Sequence, residues 1–215
     1  MNTQIEIEQG SEEWRFLRKS RITATDAPVI LGLSPYKSID QLMEEKLGPN
    51  ETIDNEAMKR GRELEPIVRE KFILTSQMIM KPSVHLGLPH PYPSIYSDFD
   101  SISDEWIMCS TDGISNDGKI VLEIKCGRKS YADAFTARKT KEKTLHPSHR
   151  IPDYYYAQIQ HILACTGALL CFYMCYQSGF DITLPVQRNE SFISNMLEKE
   201  YAFYLEMQAR REVKC

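Results

Sequence analysis

No stretch of this chain approaches the ~20 consecutive apolar residues that a membrane-spanning helix needs, so a bilayer protein is not expected. Cysteine is present but never as a C-x-x-C pair: Cys109, Cys126, Cys165, Cys171, Cys175 and Cys215 stand apart, most of them in apolar surroundings. They are expected as reduced core thiols of a cytosolic protein. Zinc or an iron–sulfur cluster at Cys165, Cys171 and Cys175 is the sharper alternative, but the spacing matches no ligand set for either. The N-terminal MNTQIEIEQG is acidic and has no apolar core, so secretion is not expected. Internal repeats, low-complexity tracts and an obvious interdomain linker are also missing. What is there is 215 residues, 42% hydrophobic and 26% charged, which fits one folded domain with a real core rather than a disordered chain.

The net charge of −4 argues mildly against a nucleic-acid partner, but a net charge averages over all faces. Between Lys125 and Arg150, eight Lys or Arg stand against only Asp133 and Glu142. A strongly basic segment on an acidic chain is how a localised phosphate-binding surface looks; a solvated loop is the plain alternative.

Periodicity and punctuation predict a short helix over about 12–19 and a second starting near Thr25. Thr23 and Thr25 both offer a cap, and Pro28, which prefers a first turn, favours Thr25. SIDQLMEEKLG reads as a third helix, stopped at Gly48. A long helix is expected over about 55–77. On it Met58, Gly61, Glu65, Val68 and Phe72 share one face, so Glu65 is an acid on an otherwise apolar or small stripe. It either reaches water at the rim or needs a cation. Strands are expected near 78–86, 105–110, 119–126, 171–176 and 181–185, with helices over about 152–166 and 189–211. Strands interleaved with helices predict an α/β fold, a mixed β-sheet flanked by helices. Trp14 is expected as a core anchor. Phe203, Tyr204 and Met207 fit core or a subunit contact, and His146 and His149 have no evident partner as ligands.

The strand KIVLEIKC, residues 119–126, carries the chemistry. Side chains alternate across a strand, so Val121, Glu123 and Lys125 share a face. NDG at 116–118 signals a tight turn, and a hairpin there returns Asp112 towards Glu123. Two adjacent carboxylates repel unless a divalent cation lies between them. Carboxylate oxygens, water and substrate phosphate are the usual setting of Mg²⁺. Lys125, two residues on, would meet a water or a phosphate oxygen. The plain alternative is a Glu–Lys pair on a half-exposed strand, worth little.

Asp112, ten residues, then Glu123-x-Lys125 resembles the PD-(D/E)-x-K nucleases, whose restriction-endonuclease-like core the fold would share. More narrowly, the chain resembles the lambda exonuclease family, also called YqaJ-type viral recombinases. GSEEWRFLRKSRITATDAPVILGLSPYKS, NEAMKRGRELEP and YYYAQIQ carry the likeness, which covers roughly residues 10–165. Two positions depart from the family: Thr111 replaces its usual Pro and Thr25 its usual Ser, and neither removes a metal ligand. The resemblance implies one nuclease domain over 1–215, with 170–215 completing the fold. It implies Mg²⁺, for which Mn²⁺ may substitute, on Asp112, Glu123 and the Ile124 carbonyl. Glu65 would join through a second ion or its waters. Lys125 would position or activate the water, and Gln158 would support Lys125 or the scissile phosphate. Arg18 and Thr25 would bind a 5′-phosphate, with Lys37, Arg128 and Lys129 as further DNA contacts. The implied activity is a two-metal 5′→3′ exonuclease on double-stranded DNA ends, leaving 3′ single strands for an annealing protein. The implied assembly is a homotrimer in the bacterial cytoplasm, phage or prophage encoded, with no membrane partner. A structure- or site-specific endonuclease on the same core, and a non-enzymatic DNA-end-binding module, are the alternatives.

Overall fold

The computed structural model describes residues 4–49, 56–89, 106–139 and 151–214. In chain order the elements are β1 (Gln4–Ile5), α1 (Glu12–Ser20), β2 (Ile22–Thr23), α2 (Ala27–Ile30), α3 (Ile39–Leu47), α4 (Glu56–Ser76), β3 (Met80–Leu86), β4 (Ile107–Ser115) and β5 (Ile120–Cys126). They continue with α5 (Arg128–Lys139), α6 (Asp153–Thr166), β6 (Leu170–Gln177), β7 (Phe180–Gln187) and α7 (Glu190–Lys214). The strands form one mixed sheet in the order β1-β3-β4-β5-β6-β7, with β2 joined alongside β4. Among the described residues, only β5–β6 and β2–β4 pair in parallel. This is the expected mixed sheet flanked by helices. No helix among the described residues is long and apolar enough to cross a membrane.

Local chemistry sets the joints. The β4–β5 turn closes at Gly118, φ +70°, while the Asp117 carboxylate accepts from the Ser115 hydroxyl at 2.6 Å and the Lys119 N–H at 3.1 Å. Gly118 is needed because positive φ suits no other residue as well. The β6–β7 hairpin turns on Ser178 and Gly179, both at positive φ, the pattern of a two-residue loop matched to strand twist. α6 ends at Gly167, also left-handed, as its sequence suggests.

The alternation read in KIVLEIKC holds. Val121 belongs to the larger core, with Ile159, Ile162, Leu163, Tyr173 and Met196. Leu122 and Ile124 face the other way, against Val68 and Phe72 of α4, Met80 and Met174. α4 therefore covers one face of the sheet, while α2, α6 and α7 cover the other. The buried stripe of α4 is shorter than its sequence spacing suggests: Val68 and Phe72 are buried, but Met58 is 48% exposed, because the core begins only a turn past Glu65. The helix runs on through Pro66.

His161 joins three elements inside the larger core. Its Nε2 donates to the Met108 carbonyl at 3.0 Å, and Nδ1 meets Glu200 of α7 at 2.9 Å. Burial alone would lower the His161 pKa, but the Glu200 carboxylate raises it. Cys109, Cys165, Cys171 and Cys175 are buried and form no disulfide among the described residues, Cys126 is half-buried, and Cys215, His146 and His149 lie outside the described residues. Cys171 and Cys175, four residues apart on one strand, are separated by roughly 13 Å, too far to share an ion.

Gly113 has almost no room for a side chain. An ideal Cβ there would stand 2.9 Å from Met80 Cβ, 3.4 Å from Leu122 Cβ and 3.7 Å from Arg69 Cδ. Gly113→Ala should therefore destabilise by about 1–3 kcal/mol, the usual range for overpacking. A urea midpoint equal to that of the parent chain would contradict this packing.

Candidate active site

β4 and β5 pair from their turn to Gly113–Leu122 and no further. Beyond that pair β4 stays with β3, and β5 stays with β6 as far as Cys126–Tyr176. The sheet thus parts between its central strands. Asp112 and Glu123 are the first residues past the last pair, one on each side. Asp112 Oδ2 accepts the Ile124 N–H at 2.6 Å, which gives that donor a partner where the ladder has stopped. The N–H and C=O of one strand residue leave on the same side, so the Ile124 carbonyl faces the same gap. Asp112 lies inside a strand that runs to Ser115, beyond the boundary near 110 that the sequence suggests.

Glu123 is 3% exposed, and its Oε1 accepts from Lys125 Nζ at 2.5 Å and from Gln158 Nε2 at 2.7 Å. Gln158, on α6, therefore holds Glu123 and makes no bond to Lys125. Lys125 Nζ also lies 5.3 Å from the centre of the Tyr155 ring. Glu65 is half-buried on α4 and accepts from Arg69 Nη1 at 2.9 Å, while that nitrogen also donates to the Asp112 carbonyl at 2.6 Å. Arg69 thus clamps α4 to β4 at Asp112. Sequence reading missed Arg69, although an acid followed four residues on by Arg is a helical pair.

Charge in this cleft is unbalanced. Burial pushes the Asp112 carboxyl well above the usual carboxylate range, and the charges of Glu123 and Glu65 push it further. Glu65 is raised by burial, with Arg69 opposing and Glu123 adding. For Lys125, burial favours the neutral amine, but Glu123 and Asp112 outweigh it and raise its pKa, so it stays an ammonium. Lys125 and Arg69 are the cations that pair directly with these three carboxylates or their backbone among the described residues. The oxygens of Asp112, Glu123 and the Ile124 carbonyl fit a hard divalent cation, both in chemistry and in the negative charge left over. Among the described residues no three His, Cys, Asp or Glu side chains are gathered closely enough to enclose an ion.

A second cluster lies on the N-terminal segments. The Arg18 guanidinium sits 4.5 Å from the Trp14 ring centre and donates to Thr25 Oγ1 at 3.0 Å. Trp14 is no core anchor: it is half-buried, and its indole N–H donates to Ser110 Oγ at 2.8 Å. Thr25 is not a helix cap either. α2 begins at Ala27 after Asp26 and is only four residues long, so the expected helix N-terminus at Thr25 is lacking. Asp26 is buried and accepts from the Thr23 N–H and hydroxyl, both at 2.8 Å, and it pairs with buried Lys46 at 2.6 Å. Lys46 holds the Asp26 carboxyl below the usual range, although burial alone would raise it. Lys37 pairs with Glu45, so its charge is compensated.

Arg128 and Lys129 do not lie in a loop. They are exposed in the first turn of α5, which starts as β5 ends and packs Ser130 and Ala134 inward. Cations at a helix N-terminus oppose its dipole, which a phosphate would relieve. The remainder of the basic segment, 140–150, lies outside the described residues.

Comparison with known proteins places this geometry in context. A family model described as the YqaJ-like viral recombinase domain matches residues 13–169. The uncharacterized protein YqaJ of Bacillus subtilis is 26% identical over 202 residues, which cover 92% of this chain and 56% of that one. The chain therefore spans little more than half the length of this curated relative. The crystal structure of the alkaline exonuclease LHK-Exo from Laribacter hongkongensis superposes with a TM-score of 0.69 at 25% identity, covering 94% of this chain and 95% of that one. A phage-related exonuclease from Haemophilus somnus 129PT shares the fold, with a TM-score of 0.58 at 15% identity over 90% of this chain and 96% of its own.

The unbalanced cleft has a measurable cost. Asp112 is protonated in both the folded and unfolded states at low pH. As pH rises past the unfolded value of about 4, the unfolded chain ionises first, so the folded state loses stability up to its raised pKa. Asp112→Asn removes that penalty and keeps an acceptor for Ile124. In EDTA at about pH 8 it should denature at a higher urea concentration than wild type, with the gap closing towards about pH 4. Added Mg²⁺ should stabilise wild type and leave the variant unchanged. A variant less stable than wild type at the higher pH would contradict the charge reading.

Proposed function

The chain belongs to the YqaJ-like viral recombinase family, and from that premise we propose that it is a Mg²⁺-dependent 5′→3′ exonuclease. It would act on double-stranded DNA ends and leave 3′ single strands for an annealing protein. Mn²⁺ would substitute for Mg²⁺. A homotrimer would enclose the DNA, its acidic exterior accounting for the net charge of −4. The observation that carries the reading is the meeting of Asp112, Glu123 and Lys125 where β4 and β5 part. Likeness to an alkaline exonuclease over 94% of the chain supports it.

Asp112, Glu123 and the Ile124 carbonyl would hold the ion, with Glu65 reaching it through water. When bound, such an ion lowers the pKa of water and offsets charge that develops on the phosphate. Lys125, kept cationic by Glu123 and Asp112, would orient the attacking water and stabilise phosphate oxygens. Gln158 fixes Glu123 so that Lys125 and an ion address the same carboxylate from defined directions. Water attacks phosphorus, the P–O3′ bond breaks, a nucleotide leaves, and the shortened strand again ends in a 5′-phosphate. Arg18 and Thr25 would take that phosphate, the guanidinium supplying charge-assisted donors. A terminal phosphate carries more charge than an internal diester, so this pocket selects ends.

One assay on linear duplex with Mg²⁺ tests both halves. Glu123→Ala should abolish cleavage while DNA binding in Ca²⁺ persists. Arg18→Ala should lower activity on 5′-phosphorylated duplex by about ten- to a hundredfold, the worth of one charged contact. It should affect 5′-hydroxyl duplex much less, since the contact is absent there. Near-normal cleavage by Glu123→Ala would overturn the nuclease assignment. An undiminished 5′-phosphate preference in Arg18→Ala would move the pocket elsewhere.

A further inference from the structure

Tyr36 stands out among the exposed side chains. Its ring is 67% exposed, yet its place is fixed. The Tyr36 N–H donates to Ser34 Oγ at 3.2 Å, and two residues on Ser38 makes the capping box of α3. A lone exposed ring carries no message. This one is backed by a cation and a second ring: Lys129 Nζ donates to the Tyr36 hydroxyl at 3.0 Å and lies 5.2 Å from its ring centre. The same ammonium lies 5.8 Å from the Tyr154 ring, which meets Tyr36 edge to face at 5.7 Å. Rings then lead to the reacting centre: Tyr154 is 4.4 Å from Tyr155, whose ring is 5.3 Å from Lys125 Nζ. With one base per ~3.4 Å of strand, Tyr36 lies within a few nucleotides of the phosphate that Lys125 would address.

We propose that the Tyr36 ring, braced by Lys129 and Tyr154, is a stacking platform for an unpaired base of the strand being cleaved; the inference rests on the nuclease reading above. An exposed aromatic face beside a lysine is the combination that holds single-stranded nucleic acid without regard to sequence, because every base offers a π-face and every nucleotide a phosphate. A purely structural role would bury the ring, whereas here it stays 67% exposed while Lys129 and Tyr154 brace it. Lys129 serves both parts: it fixes the hydroxyl, and its exposed ammonium remains available to the phosphate of the stacked nucleotide. A base held there is drawn out of the duplex and its backbone is delivered towards Lys125. An enzyme that must digest any sequence needs grip of this indiscriminate kind.

The test is a cycle of variants and substrates, read as binding by fluorescence anisotropy in Ca²⁺ on 5′-phosphorylated duplex. One duplex is intact, and the other lacks bases at the first few nucleotides of the 5′ strand. Tyr36→Ala should weaken binding to the intact duplex by roughly five- to a hundredfold. On the abasic duplex the loss should fall within about twofold, since the interaction is already gone. Tyr36→Phe, which keeps the ring and loses the hydroxyl that Lys129 meets, should retain most of the affinity. Thermal melting of each variant verifies folding, which an exposed side chain should barely affect. An equal loss on both duplexes, or none on either, overturns the platform while wild-type binding and cleavage leave the nuclease reading standing. A wild type that binds neither duplex overturns the nuclease reading and this inference with it.

Discussion

Asp112, Glu123 and Glu65 repel one another at a site where Glu123 is buried and the other two are half-buried, and much of the surrounding structure answers that repulsion. Lys125 sits against Glu123, and Arg69 spans Glu65 and the Asp112 carbonyl. Even the backbone is recruited, as the Ile124 N–H turns to the Asp112 carboxylate instead of a neighbouring strand. These contacts offset part of the cost and leave negative charge over.

The parting of the sheet gives the cleft its shape. Were β4 and β5 paired throughout, Asp112 and Glu123 would lie side by side with their backbones sealed. Parted, they expose the Ile124 carbonyl and admit Gln158 from α6. Each side of the gap is backed by a paired strand, β3 along β4 and β6 along β5. The Arg18–Thr25 cluster is built differently, from a relay of polar contacts. Lys46 donates to the Arg18 and Arg21 carbonyls at 2.8 and 2.7 Å and pairs with Asp26, and Asp26 takes the Thr23 hydroxyl. Thr23 meets Thr25 at 3.1 Å, and Thr25 accepts from Arg18. Arg211 of α7 closes the relay on the Lys19 and Lys46 carbonyls, so the last helix also supports this cluster.

Much of this was legible in the chain. Alternation in KIVLEIKC placed Val121 and Leu122 on opposite faces, and NDG brought Asp112 back to Glu123, because both signals are local and steric. Glu65 was conspicuous for the same reason: an acid on an apolar stripe is an energetic anomaly. What escaped depended on tertiary contact. β1 and β2 have two residues each and exist only because β3 and β4 offer edges. α5 was hidden by its charge, since a helix with Arg128 and Lys129 in its first turn works against its own dipole. Thr25 looked like a cap, but Asp26 follows it and is drawn to Lys46, a partner twenty residues away that no local pattern reveals. The Tyr36–Lys129–Tyr154 cluster joins three distant segments and leaves no trace in any one of them.

End-labelled duplex DNA tests the central claim most directly. Linear duplex carrying a distinct label at each end of one strand is incubated with the wild-type protein and Mg²⁺, and the order of label release is followed. The account predicts that the 5′ label leaves first, as a mononucleotide, while the complementary 3′ overhang stays intact. Release of the 3′ label first, or internal nicks on a closed circular duplex, would contradict it.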